Sequence, residues 1–306
     1  MPTLLETLRA LAEACGEHGR YTTTALGTST TLICSALANT NLSASEMDDR
    51  AVLLESGAYS GQQRNVRRSG LDRSTGTLTV AEAFGGAVAS GVSFSTYTRL
   101  PAYRRLDVPG YVEAINLALK RVPIEDEIGL SGVTGQVHYT VDTATYPWWT
   151  DDRRIIKILM PVTSADEVPQ ELPYEQWEWR ANAETRQLVF PTAPFKTGET
   201  FTVNLYRPAN SRLRIGGTWT DQTTQTAALS TLTDEHAADV ATVVTVARAY
   251  AYRFMAEQQA PGGTVAEWVA KADMWEGRAR KLLASGMPQD RASGRFRLRP
   301  VYVGAR

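Results

Sequence analysis

Histidine and cysteine are scarce in this 306-residue chain, with three of the first and two of the second. His18, His138 and His236 stand far apart, in no paired ligand spacing, and Cys15 and Cys34 have no second cysteine pair to complete a cluster. A metal centre needs several such ligands converging on one point, so no metal and no cofactor is expected. Two cysteines also make no disulfide framework and suit a reducing compartment. The GxSxG elbow, the P-loop and the dinucleotide fingerprint are all missing. Carboxylates do occur in pairs, at Asp48/Asp49 and Asp151/Asp152. Neighbouring residues point to opposite faces of a strand or into solvent, whereas glycoside hydrolysis needs two carboxylates across a cleft. The expectation is therefore a protein that is not an enzyme. No apolar run approaches the roughly twenty residues of a membrane span. No charged segment leads into an apolar one near Met1, so no signal peptide is expected. A net charge of −1 argues against a surface that coats nucleic acid along its whole length.

What is present is an alternation of helical and β-type stretches. Residues 3–15 put Leu4, Leu8, Leu11 and Cys15 on one face of a short helix. Residues 21–105 lose that period and are rich in Thr, Ser, Gly and Val. Thr30–Leu37, Ala51–Glu55, Gln62–Arg68, Thr77–Ala81 and Ser93–Arg99 read as strands of a small barrel or sandwich, with a turn at Asp72–Gly76. Arg64, Arg67, Arg68 and Arg73 gather around one hairpin, as a solvated face or a phosphate-binding patch. A second helix opens at Pro109-Gly110 and carries Tyr111, Val112, Ile115, Leu119 and Val122. The acidic, glycine-containing stretch 124–135 reads as a linker. Period two then returns at Gln136–Val141, Ile155–Pro161, Gln176–Ala181, Gln187–Phe190 and Thr200–Tyr206, a second antiparallel module. Its aromatic row, Trp177 and Trp179 with Tyr146, Trp148, Trp149 and Tyr174 nearby, suits a core, a subunit interface or a sugar platform.

The C-terminal part reads as a helical hairpin. Thr233 is a candidate N-cap before Val240, Val243, Val244, Ala247, Ala251 and Phe254, and Pro261-Gly262-Gly263 ends that helix. Thr264-Val265-Ala266-Glu267 matches a capping box for the next, which runs through Trp268, Ala272, Trp275, Ala279 and Leu282 to Gly286 and Pro288. The fold expected is α+β: a helical bundle, made of the C-terminal hairpin plus two further helices, with two antiparallel β-modules inserted. The segments are 1–20 (helix), 21–105 (β-module), 106–135 (helix and linker), 136–220 (β-module), 221–286 (hairpin) and 287–306 (extended basic tail). That tail concentrates charge: residues 291–306 hold five arginines and no acid, so residues 1–290 carry −6 of the chain's net −1.

The hairpin Thr233–Ser285, the basic tail Arg291–Arg306, the helix YVEAINLALKRV and the β-segment TFTVNLYRP give a layout that resembles the head-to-tail adaptor (neck or connector) proteins of tailed bacteriophages. The resemblance implies a structural virion protein, located in the virion after assembly in the host cytoplasm. It would form a homo-oligomeric ring that binds the portal and the tail or neck proteins. Duplex DNA passing through such a ring would be touched non-specifically, and no membrane is involved. It supplies no catalytic residues, and the 21–105 module has no counterpart in the smaller adaptors. The partner-binding residues expected are Arg295, Phe296, Arg297, Leu298, Arg299 and Tyr302. In an extended strand Arg295, Arg297 and Arg299 fall on one side and Phe296 and Leu298 on the other. Such a strand adds to the sheet edge of a neighbour, with Pro300 restricting the pairing. A solvated cationic terminus and a strand on the protein's own β-module are the other readings. The aromatic row motivates a different function, a carbohydrate- or receptor-binding virion or tail accessory protein, and an unrecognised glycosidase stands third.

Overall fold

The computed structural model describes residues 1–15, 18–40, 43–48, 50–97, 108–142, 146, 148–149, 155–162, 168–181, 185–221, 227–258 and 264–286. Within them the chain is mixed α+β, with six helices and several antiparallel sheets. It divides into two compact units, Met1–Ile124 with Pro208–Ala279, and Glu125–Arg207 with Arg280–Arg306.

The first unit opens with α1, Leu4–Ala14, started by a capping box in which Thr3 and Glu6 satisfy each other's backbone N–H. Leu4, Leu8, Leu11 and Ala12 are buried, as the apolar stripe requires. The β-module that follows is a six-stranded antiparallel sheet in the order β1-β6-β3-β4-β5-β2. Its strands are β1 (His18–Thr22), β2 (Thr31–Ile33), β3 (Ala51–Leu54), β4 (Gln63–Asp72), β5 (Thr77–Val80) and β6 (Ser93–Tyr97). Beyond β1, Ala25 bridges Ile33 at the end of β2, which curls the sheet toward closure. Leu32, Val52, Leu54, Val66, Leu78 and Phe94 fill its interior. The expected strand Thr30–Leu37 ends early, at Ile33, where the chain enters the short helix α2, Ser35–Ala38. A second short helix, α3 (Ala44–Met47), precedes β3. The β4–β5 turn sits where the glycine pattern puts it. Gly76 has φ +69°, and a Cβ there would lie 2.3 Å from the Cys34 carbonyl oxygen, so only glycine fits.

Helix α4, Val108–Leu119, buries Tyr111, Ala114, Ile115, Ala118 and Leu119. It packs on α5, Val240–Gln258, and α1 packs on both. Helix α5 begins at Val240 rather than at Thr233. Asp239 is its starting carboxylate, accepting from the Thr242 N–H and hydroxyl at 2.9 Å each. Residues 230–234 are instead a folded loop, because Asp234 is spent on it: its carboxylate accepts from the N–H groups of Ser230 and Thr231 and from the Thr231 hydroxyl. The loop leads into β15, Glu235–His236, beside the hairpin β13 (Arg212–Ile215) and β14 (Thr218–Asp221). The hairpin turns through Gly216 and Gly217, both at positive φ, the combination a tight hairpin turn demands.

Helix α6, Thr264–Gly286, starts at the expected residue. It is gripped differently from the others: among its described side chains Ala272 and Ala279 are the buried ones. The Trp275 ring lies between the guanidinium groups of Arg248, 3.7 Å away, and Arg278, 4.5 Å away. Trp268 stacks on Tyr252, and Glu276 takes a two-pronged bond from Arg121 on the segment after α4.

The second unit holds two three-stranded antiparallel sheets, β7-β12-β9 and β10-β11-β8, around one shared core. They comprise β7 (Pro123–Ser131), β8 (His138–Thr140), β9 (Ile155–Leu159), β10 (Glu178–Ala181), β11 (Arg186–Val189) and β12 (Thr200–Pro208). Tyr139, Phe190, Phe195 and Phe201 meet edge-to-face or stacked in that core, with ring centroids 4.0–5.9 Å apart. The stretch 123–131 is a strand, not a linker. Ile124 and Ile128 point inward at period two, and Asp126, on the same side, is ion-paired with the buried Arg207. An inward carboxylate broke the apolar alternation in the sequence and hid the strand.

In the first unit a buried carboxylate joins α1 to the barrel. Glu55 follows β3 with its side chain fully enclosed. Arg9 of α1 donates to both its oxygens, the Nε bond being 3.0 Å, Ser95 of β6 donates to it, and Arg20 of β1 lies 3.3 Å away. Burial alone would raise this carboxyl. The bonds from Arg9 and Ser95 and the charges of Arg9 and Arg20 outweigh it and hold Glu55 below the usual carboxylate range.

Two stability predictions follow from this packing. Leu119→Ala removes fully buried side-chain volume and should cost about 2–5 kcal/mol in urea denaturation. Arg9→Ala strands Glu55 in the interior and should cost about 3–5 kcal/mol, whereas the double change Arg9→Met with Glu55→Leu should recover most of it. Equal losses in the single and double variants would contradict this account of the pair.

Candidate functional site

The tail residues expected to bind a partner, Arg295, Phe296, Arg297, Leu298, Arg299 and Tyr302, lie outside the described residues. So do Asp49, Asp151 and Asp152 from the carboxylate pairs, and the Pro261-Gly262-Gly263 turn. The remaining carboxylate of those pairs is engaged locally: Asp48 accepts from the Ser69 N–H at 2.6 Å. Glu178, on β10, pairs with Arg180 at 3.0 Å.

The histidines separate as well. His138 is exposed on β8, and β1 begins at His18. His236 lies on β15 rather than in a helix. It is fully buried, with Nε2 2.8 Å from the Thr7 hydroxyl of α1. Among the described residues no group of three or more His, Cys, Asp and Glu side chains is placed to hold a metal ion.

The aromatic row resolves into core packing. Trp177 is buried with the core aromatics, and Trp179, half-buried, stacks on Trp149 with ring centroids 5.2 Å apart. Trp149 stacks in turn on Trp148, over which the Arg207 guanidinium sits at 5.1 Å. The ladder Arg207–Trp148–Trp149–Trp179 therefore runs through the module, and the face of Trp177 is not presented to a sugar ring.

One concavity stands out in the first unit. A groove of about 1010 Å³ opens between α4, the 228–233 loop and barrel residues 60–63. Its floor is apolar, from Leu53, Val108 and Leu229, and Glu113 and Lys120 stand at its rim. Asn116 fixes one wall by bonding both backbone groups of Leu229, at 2.8 and 3.0 Å. The Ser60, Ser230 and Thr231 hydroxyls on the wall bond to Glu55 or Asp234, and among the described residues none bonds a histidine. The groove offers surface for a ligand or chain segment rather than an activated nucleophile.

The sequence did not point to the polar groups that organise this unit, Glu55, Asp234 and Asn116. Each is a single residue in an unremarkable stretch, and its partners lie elsewhere in the chain. Comparison with protein-family models, with curated proteins and with solved structures found no match. No helix among the described residues is long and apolar enough to cross a membrane.

His236 makes the folded state acid-sensitive. Burial pushes its pKa down to about 4 from an ordinary 6.5, and the nearby Glu6 and Asp239 offset this only in part. Between those values the unfolded chain binds a proton here that the folded chain does not. Stability should therefore fall as pH drops from 6.5 to about 4, by about 3 kcal/mol, and this contribution should level off below that. Urea titrations at stepped pH should show the slope, and His236→Gln should flatten that part of it. An unchanged slope in the variant would exclude His236 as its source.

Proposed function

We propose that this chain is a structural ring subunit of a virion, a head-to-tail adaptor that links the portal to the tail, with no catalytic activity and no cofactor. The observation that carries the reading is the way the helices are assembled. Helices α1, α4 and α5 come from three distant stretches and pack on one another, while the β-modules enter the chain between them. In this reading they form, with α6, the helical bundle of the adaptor, and the β-modules are its insertions. The grip on α6 adds support. Among the described residues it includes cation–π stacks and a two-pronged ion pair, and it leaves Val269 and Met274 exposed. A helix held by such contacts can present its other side to a neighbour in a ring. The tail Arg291–Arg306 then serves as the docking segment toward the portal or the next ring, with DNA in the channel as a non-specific contact.

The test is assembly. Mass photometry and negative-stain imaging of the full chain, alone and with portal, should show closed rings. Deleting residues 290–306 should leave the melting temperature nearly unchanged and abolish attachment to the portal ring. Full attachment by the truncated protein would overturn the role of the tail. A chain that stays monomeric under all conditions with portal present would overturn the ring.

A further inference from the structure

Three consecutive acids, Glu125, Asp126 and Glu127, are split by the pleat of β7. Asp126 turns inward to Arg207, whereas Glu125 and Glu127 are exposed on the opposite face. Their carboxylates are held in place from β12, where the Tyr206 hydroxyl donates to Glu125 at 3.3 Å and the Asn204 amide to Glu127 at 3.0 Å. Among the described residues β7 is also an outermost strand, in the order β7-β12-β9, and it is nine residues long. An edge of that length offers a row of backbone donors and acceptors to a further strand.

The same chain carries a matching segment. Twenty residues follow Gly286, enough to span roughly 65 Å when extended, at about 3.3 Å per residue. In them Arg295, Arg297 and Arg299 recur at the period with which Glu125 and Glu127 recur on β7. We propose that β7 is the receiving edge for the C-terminal segment 294–299 of a second copy of this chain, added as a fourth strand with its arginines over Glu125 and Glu127. Directly opposed residues on neighbouring strands share a face, so this register sets Phe296 and Leu298 on the core side, where Leu130 is half-buried at the rim. Backbone bonds supply the attachment and the paired charges supply the register. Pro300 ends the pairing, since it has no N–H to donate. Choosing a second copy as the donor rests on the ring reading above, which sets copies side by side.

The test uses a labelled peptide of residues 291–306, titrated by fluorescence anisotropy into full-length protein whose own tail is disabled by R297P and L298P, since proline has no N–H to give to a ladder. Binding should saturate. It should weaken at least about tenfold when Glu125→Lys and Glu127→Lys are added to the receptor, since like charges directly opposed on adjacent strands repel. A peptide with glutamates at 295, 297 and 299 should bind the lysine receptor better than it binds the parent. Glu125→Gln with Glu127→Gln, the milder change, should fall between. Circular dichroism of each receptor checks folding, which exposed positions should tolerate. Peptide affinity that ignores all these changes, or no binding at all, overturns the proposal. The donor is identified by mixing a Glu127→Cys copy with a differently tagged Arg297→Cys copy, both lacking Cys15. An oxidised cross-link between tags supports the second copy. Disulfide formation only within single chains of an Arg297→Cys/Glu127→Cys double variant overturns it in favour of the chain's own tail. These readouts need no portal, so loss of portal attachment and loss of β7 pairing can be told apart.

Discussion

A single buried carboxylate ties the helical layer of the first unit to its barrel. Glu55 is met by Arg9 from α1, Arg20 from β1 and Ser95 from β6, so three elements converge on one charge. Taking that charge out of water costs several kcal/mol, and only this number of well-placed partners offsets it. The apolar face of α1 would bury its leucines against many surfaces. The charge pair favours one placement, because a shift of α1 by a turn removes both Arg9 bonds from the buried Glu55. The other end of α1 is fixed by polar contacts too: the N–H groups of Leu4 and Leu5 donate to the carbonyls of Asp234 and Leu232, and Thr7 meets His236. Hydrophobic burial supplies the bulk of the stabilisation and these few polar contacts choose the register.

The two C-terminal helices show the opposite balance. Helix α5 is buried on several sides, from Val243 through Ala247 and Ala251 to Met255, and acts as the post on which α1 and α4 pack. Among its described residues helix α6 buries two alanines, Ala272 and Ala279, and its contacts include Arg248, Trp275, Arg278, Trp268 and Arg121. Cation–π contacts are each worth roughly a kcal/mol, and α6 has less apolar burial behind them than α5.

The second unit separates its chemistry by face. Inside, aromatic rings and the Arg207–tryptophan ladder fill the space between two small sheets, where large rings give the most burial per residue. Outside, β7 carries its glutamates. Arg207 works on the inner side, where it neutralises Asp126 and covers Trp148.

The sequence by itself determined those elements whose pattern is local. The stripe of Leu4, Leu8 and Leu11, the face of α4, the start of α6 at Thr264 and the turn ending at Gly76 were legible because helix period, capping and positive φ depend on residues a few positions apart. The alternation of Phe201, Val203 and Leu205 likewise marked β12 as half-buried. Tertiary structure decided the cases in which a polar residue is satisfied from far away. Asp126 is inward because Arg207 arrives 81 residues later, which turned an apparent linker into a strand. Thr233 and Asp234 resemble a helix start, but the Asp234 carboxylate holds the loop before β15, and the helix waits for Asp239. Glu55 looks like an ordinary strand-end acid until Arg9, 46 residues earlier, is folded onto it. Apolar periodicity reports that a face is buried. It carries no record of which distant partner makes a buried charge tolerable, and in this protein those partners set strand, register and helix start.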